Sequence, residues 1–190
     1  MPETYVESKT FEKTDFTENP LSYNELEDCI FRNCNFAEAD LSNIIFVDCE
    51  FVDCNLSLAK TTRTAFRNVK FQDSKMLGLR FDYCNEFLFE VEFDNCNIGM
   101  SSFFKLKIKK TKFKKSTLHE VDFTGTDLTE AVFDNCDLQR AVFVNTIIEK
   151  ADFRTAYNYS IDLELNRIKK AKFSAHGIGG LLDKYDIKIT

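Results

Sequence analysis

Phenylalanine stands at positions 11, 31, 51 and 71, then at 93, 113, 133, 153 and 173, a spacing of 20 residues with one step of 22. Between these positions a large apolar residue recurs at every fifth place, as in Phe31, Phe36, Leu41, Phe46, Phe51 and Leu56. A period of five fits neither an α-helix nor a flat strand. It fits a coil with flat sides. If each five-residue unit forms one side of a square and turns its central side chain inward, four units return the chain above its starting point. The phenylalanine column is then a stack of residues from successive coils.

Two positions before each large residue stands a smaller one, as at Cys29, Cys34, Ala39, Cys49, Cys54, Ala131, Cys136 and Ala141. Both positions point inward in this reading. Asp or Asn often precedes the central residue (Asp15, Asn35, Asp40, Asn55, Asp137), where a short polar side chain suits a tight turn at a coil corner. All seven cysteines (Cys29, Cys34, Cys49, Cys54, Cys84, Cys96, Cys136) fall in the small inward slot, where a free thiol behaves as a compact apolar group. Cys29 with Cys49, and Cys34 with Cys54, are expected on adjacent coils within a disulfide reach of about 5 Å, and to stay thiols in a reducing cytosol.

Continuing the register past Phe81 would bury the carboxylate of Glu86. A two-residue insertion near 82–87 repairs this, and the pattern resumes at Leu88 with Phe87 and Phe89 outward. A bulge near Asn85 and a small recognition loop are the two readings of that insertion. Thr61, a polar residue at an inward position, is expected to bond its hydroxyl to nearby backbone.

Written as units, Cys29-Ile30-Phe31-Arg32-Asn33, Cys34-Asn35-Phe36-Ala37-Glu38 and Ala39-Asp40-Leu41-Ser42-Asn43 resemble consecutive pentapeptide repeats. The resemblance to the pentapeptide-repeat family covers roughly residues 9 to 155. It implies an all-β fold, a right-handed quadrilateral parallel β-helix. At a spacing of about 4.8 Å per coil, some eight coils make a rod about 38 Å long. The β-helix is expected over 1–174, with a looser final coil at 155–174 in which Tyr157, Asn158 and Tyr159 take outward and turn positions. A short helical tail at 175–190 must cap the open end or pair it.

With 190 residues, 20 of them Phe, the chain fills one elongated core. Its first residues contain no apolar run long enough for a signal peptide and no segment approaches membrane-spanning length, so a cytoplasmic protein without membrane contact is expected. Catalytic constellations, metal-ligand spacings and phosphate-binding glycine loops are missing. His119 faces out beside Gly99 and Gln139, His176 lies in the tail, and neither finds a base partner in this reading. The expectation is a non-catalytic protein without metal or cofactor.

Residues 1–60 carry 13 acids and 4 bases, 61–120 carry 7 and 12, and 121–190 carry 11 and 9, for net charges of −9, +5 and −2. The basic excess centres on Lys105, Lys107, Lys109, Lys110, Lys112, Lys114 and Lys115. Stacking at 20 residues sets Lys110 between Glu90 and Glu130, Lys114 between Asp94 and Asp134, Lys107 beside Asp127 and Lys112 beside Glu92. Neutralised charge ladders and a patch for RNA or anionic lipid are the two readings of this run, and ladders are favoured, with no direct nucleic-acid contact.

The ending Leu181-Leu182-Asp183-Lys184-Tyr185-Asp186-Ile187-Lys188-Ile189 and the mid-chain run Ser74-Lys75-Met76-Leu77-Gly78-Leu79-Arg80-Phe81 are similar to segments of the Qnr/MfpA group of topoisomerase-interacting proteins. The resemblance implies a homodimer joined through the tails, with Ile178, Leu181, Leu182, Tyr185 and Ile187 as the apolar contacts. It also implies a rod that imitates duplex DNA toward DNA gyrase or topoisomerase IV and modulates quinolone susceptibility. Only the N-terminal coils approach the charge density of DNA, with net −9 over roughly 12 Å against one charge per roughly 1.7 Å. Asp28, Glu38, Asp48 and Asp53 are therefore the candidate partner-binding residues. The alternative is a scaffolding rod with an unrelated protein partner, which calls for an exposed apolar patch at Phe87, Phe89 and Phe104.

Overall fold

The computed structural model describes residues 4–188. Among these the chain forms short strands β1 (Tyr5–Glu7), β2 (Thr10–Glu12), β3 (Glu25–Glu27), β4 (Ile30–Arg32), β5 (Ile45–Val47), β6 (Glu50–Val52), β7 (Ala65–Arg67), β8 (Val69–Gln72), β9 (Val91–Asp94), β10 (Lys112–Lys114) and β11 (Val132–Asp134). Short 3-10 helices occupy Phe81–Tyr83, Ala175–Leu181 and Asp183–Tyr185. One side of the rod is the parallel sheet β1-β3-β5-β7, and the next is β2-β4-β6-β8-β9-β10-β11. The remaining sides pair through single bridges, Asp15 to Asn35 to Asn55 on one and Asp40 to Lys60 on the other. This is the quadrilateral parallel β-solenoid expected from the period of five. Its longest regular ladder has seven strands, shorter than the eight coils expected, because Asp152 and Lys172 continue it only through isolated bridges.

The corners explain the outward residues. Asp28, Asn33, Glu38 and Asn43, each two places after a central side chain, have φ of 50, 53, 58 and 63°. Asn and Asp enter this left-handed region at the least cost among residues with a side chain. The Asp or Asn before the central residue acts through its side chain instead: Asn35 Oδ1 accepts from the Ala37 N–H at 3.1 Å and Asp40 Oδ1 from the Ser42 N–H at 3.0 Å. The expected turn role is thus met by side-chain capping, while the backbone bends three residues further on.

Two long phenylalanine columns run through the interior beside inward Leu, Ile and Met from the other sides. On the seven-stranded side, rings of Phe93, Phe113 and Phe133 stack at 5.2 and 4.9 Å with interplanar angles of 5°. A second column runs Phe81, Phe103, Phe123, Phe143, and meets the first edge-on, as in Phe103 with Phe113 at 6.0 Å and 88°. Stacked and perpendicular aromatic pairs each add about 0.5–1.5 kcal/mol beyond the area they bury. The cysteines occupy the small inward slot as free, buried thiols, and Cys49 Sγ and Cys54 Sγ donate to the carbonyls of Leu26 and Phe31 across the coil. Burial pushes the Cys49, Cys84, Cys96 and Cys136 thiols up to about 12. Thr61 donates its hydroxyl to the Arg80 carbonyl at 2.6 Å, as expected.

The insertion is absorbed on one side only. β8 still pairs with β9 in register, Phe71 against Phe93, across the step of 22. On the adjacent side the sheet stops at β7. There Asn85 donates to the Thr64 carbonyl and Glu90 to the Phe66 carbonyl, so a longer stretch of chain spans what Thr64 to Phe66 span below. The expected resumption at Leu88 is wrong by one residue. Leu88 is 64% exposed and Phe87 66%, whereas Phe89 is half-buried, with its ring edge-on to Phe66 at 6.4 Å and to Phe81 at 6.2 Å. A looped segment escapes the five-residue period, and the larger ring takes the gap between two others.

Candidate interaction surfaces

The four acids singled out from the sequence are all exposed but do not form one stripe. Asp28 and Asp48 share a corner with Asn68, whose amide donates to Asp48 Oδ1. Asp53 lies on the next corner with Asn33 and Asp73. These three border the seven-stranded side, where Glu50 faces out near Lys70 at 3.8 Å. Glu38 turns a different corner, in line with Leu58 and Gly78. The structure adds acids that the sequence reading missed. β1 pairs with β3 so that Glu7 lies directly against Glu27, with Glu25 on the same strand. Tyr5 donates to Glu27 Oε2 at 2.9 Å, and Glu27 holds the Tyr5 phenol well above its ordinary value. Like charges directly opposite are unfavourable in a sheet, so this end of the rod sustains a concentrated negative potential. The 20-residue spacing of Glu7 and Glu27 was the signal that could have found the pair.

The lysine run divides. Lys112 meets Glu92 at 2.8 Å, Lys114 meets Asp94 at 2.9 Å, and further along Lys150 meets Glu130 at 2.8 Å and Arg140 meets Glu120 at 3.1 Å. Asp127 is reached not by Lys107 but by Lys109, at 3.3 Å. Burial works to raise Asp127, but hydrogen bonds from Thr129 and Lys109 outweigh it and hold the carboxyl below its usual range. Lys105, Lys107, Lys110 and Lys115 form no ion pair among the described residues. His119 is not isolated as expected: its Nε2 lies 2.8 Å from Asp137 Oδ2, although the ring N–H is not aimed along a hydrogen bond. Burial raises Asp137 as well, and His119, Asn158 and the Gln139 N–H together bring it below the ordinary carboxylate value.

At the C-terminal end the outward position expected for Tyr159 is wrong. Asn158 takes the left-handed corner at φ 58° and Tyr159 turns inward, 4% exposed, its ring against Phe153 and Phe173 at 5.9 and 5.7 Å. The tail then crosses this ring. A Cβ on Gly177 would lie 2.0 Å from the Tyr159 hydroxyl, and one on Gly180 would lie 1.9 Å from the Tyr159 carbonyl oxygen. The glycines of this segment therefore permit close approach, and the Gly180 carbonyl accepts from the Ile161 N–H at 2.9 Å. Leu181 packs against the core and Leu182 is half-buried, whereas Ile178, Tyr185 and Ile187 are exposed. Lys184 ties the tail to Asp162 and Glu164, both at 2.8 Å. Ile189 lies outside the described residues.

Among the described residues no helix is long and apolar enough to cross a membrane, and no group of three or more His, Cys, Asp or Glu side chains is arranged to hold a metal ion.

The signature described as "Pentapeptide repeat region" matches residues 24–85 and 44–123, and that described as "Pentapeptide repeats (8 copies)" matches 109–155. The chain belongs to the pentapeptide-repeat family. Comparison with curated protein sequences finds no match. Among solved structures, full-length QnrB1, titled a plasmid-mediated fluoroquinolone resistance protein, is similar with a TM-score of 0.64 at 14% identity, over 96% of this chain and 100% of that one. Trypsin-treated QnrB1 carrying R167E gives 0.63 at 13% identity over 99% and 98%. At this identity the likeness is one of fold.

Proposed function

We propose that this chain is a non-catalytic, cytoplasmic interaction rod that engages the DNA-binding surface of DNA gyrase or topoisomerase IV and modulates quinolone susceptibility. The observation that carries this reading is the acidic first coils. Glu7, Glu25 and Glu27 face out on one side, Asp28 and Asp48 turn its corner, and Asp53 follows on the next. Held on a rigid ladder, they present the closely spaced negative charge that a cationic DNA-binding surface selects. Ion pairing of Lys109, Lys112 and Lys114 reduces the repulsion that the basic middle of the rod would exert. The fold it shares with QnrB1, titled a fluoroquinolone resistance protein, is in keeping with the quinolone part of this reading.

In this reading residues 175–190 join two rods, with Ile178, Tyr185 and Ile187 meeting across the dimer and Leu181 and Leu182 anchoring the tail to its own coil. A gyrase supercoiling assay with and without a fluoroquinolone tests the proposal. Purified protein is expected to inhibit supercoiling or protect it from the drug, and the combined Asp28→Lys, Asp48→Lys and Asp53→Lys variant to need at least tenfold more protein. Absence of any effect on gyrase and topoisomerase IV at large molar excess overturns it. A second reading, a scaffolding rod with an unrelated partner, is favoured by the exposed rings of Phe87 and Phe104.

A further inference from the structure

The mid-rod bulge is the place where this solenoid departs from its own pattern, and two observations there point one way. Phe87 and Leu88 project at 66% and 64% exposure, and the neighbouring coils add Tyr83 at 53% and Phe104 at 38%. Leu88 takes an ordinary left-handed corner at φ 57°, as Leu58 and Met100 do at 58 and 57°, so it is the length of the loop that sets the bulge apart. Cations lie over these rings: Arg67 on Phe87 at 5.6 Å, Arg80 on Tyr83 at 4.3 Å and Lys105 on Phe104 at 4.7 Å.

Beside the bulge runs an open groove of about 390 Å³ with Phe89, Val91 and Thr111 in its lining and Lys107, Lys109 and Lys110 along its edge. The loop bonds to the coil below it through Asn85 and Glu90, while Lys107 bridges only to Asp127 on the coil above among the described residues, and the groove lies between them. Glu90 and Glu92 also line it, but Glu92 is taken by Lys112 and Lys109 by Asp127. Arg67, Lys105, Lys107 and Lys110 form no ion pair among the described residues. Glu86 and Glu90 are the acids the bulge itself contributes. The surface thus joins an apolar projection to an apolar-floored groove and surrounds both with uncommitted positive charge.

We infer that this surface binds an acidic protein segment that inserts a large apolar side chain into the groove while its carboxylates meet Lys107, Lys110 and Arg67. A carboxylate partner supplies what those cations lack, and exposed aromatic rings with Arg at their faces are the residue types that dominate protein interfaces. The surface lies further along the same side of the rod, with Arg67 two coils on from Glu27 in one column, and it selects the opposite charge, so this inference is tested separately from the topoisomerase reading.

A phage-displayed library of random dodecapeptides, selected on the wild-type protein and counter-selected on the Phe87→Ser, Lys107→Glu double variant, tests it. Both positions are exposed, so the variant is expected to keep the wild-type circular dichroism and melting temperature. Selected peptides are expected to combine Asp or Glu with Leu, Ile or Phe, to bind the variant at least tenfold more weakly as synthetic labelled peptides, and to weaken with salt. Selection of peptides lacking acids, or equal binding to the variant, overturns the inference. So does loss on the same variant of binding to single-stranded oligothymidylate, when no peptide discriminates, since the surface is then a nucleic-acid platform.

Discussion

Phe113 makes the energetics of a single position visible. Its ring lies between those of Phe93 and Phe133 and edge-on to Phe103 and Phe123, fully buried. Phe113→Ala removes all four contacts and leaves a cavity that neighbouring coils, held by their own ladders, cannot close. It is expected to lower unfolding free energy by about 3–5 kcal/mol, read from urea unfolding. The thiols give a second expectation. Burial holds Cys49, Cys84, Cys96 and Cys136 near about 12 in the folded protein, against about 8.5 for an unfolded cysteine. Because the folded value is raised, the stabilisation is complete below about pH 8.5 and declines above it, as the unfolded thiols ionise first. The melting temperature is expected to fall between pH 9 and 11, and the Cys49→Ala, Cys136→Ala variant to fall less steeply. Cysteine placement was legible because position within the five-residue unit dictates it. His119 and Asp137 were not, because their separation of 18 residues is a diagonal across adjacent coils rather than a stack. Lys109 with Asp127 and Arg167 with Glu149 repeat that offset, so side chains flanking a ladder lean toward one another across the rung.

At the scale of elements, the ladders were readable and the exceptions to them were not. Counting in fives puts Phe93 after Phe71 and Phe103 after Phe81 once two residues are added, and both pairs stack at 5.5 and 4.5 Å. Counting cannot say which residue of the added loop turns inward, since a loop follows the space left by its neighbours. That space lies between Phe66 and Phe81 and takes Phe89. Phe89→Ala is accordingly expected to cost about 2–4 kcal/mol, while Leu88→Ala changes stability by less than about 0.5 kcal/mol, a contrast measurable by urea unfolding of the two variants. The reverse result would restore Leu88 to the core. Tyr159 is a parallel case: the expectation set Asn158 and Tyr159 both in outward and turn positions, but the rod ends here in a tail rather than a regular coil, and the larger ring closes the core against Phe153 and Phe173.

Across the whole molecule the charge is uneven, negative in the first coils and positive at mid-rod, so acidic and basic surfaces follow one another along the rod, Glu27 and Arg67 in a single column. The period of five specified the solenoid, but a surface is specified by which outward residues coincide in space. Asp28 and Asp48 coincide and Glu38 does not. A rod joined at its tails doubles the length over which these faces repeat. Sedimentation of the wild-type protein is expected to show a dimer, and the Ile178→Asp, Ile187→Asp variant a folded monomer whose melting temperature no longer rises with protein concentration, since both side chains are exposed in the single chain. The claim on which the functional account depends is imitation of duplex DNA, and competition tests it most directly. Labelled protein bound to gyrase should be displaced by unlabelled linear duplex DNA, and binding should weaken steeply as salt rises. A ternary complex of gyrase, duplex and this protein, or binding indifferent to both duplex and salt, would contradict it.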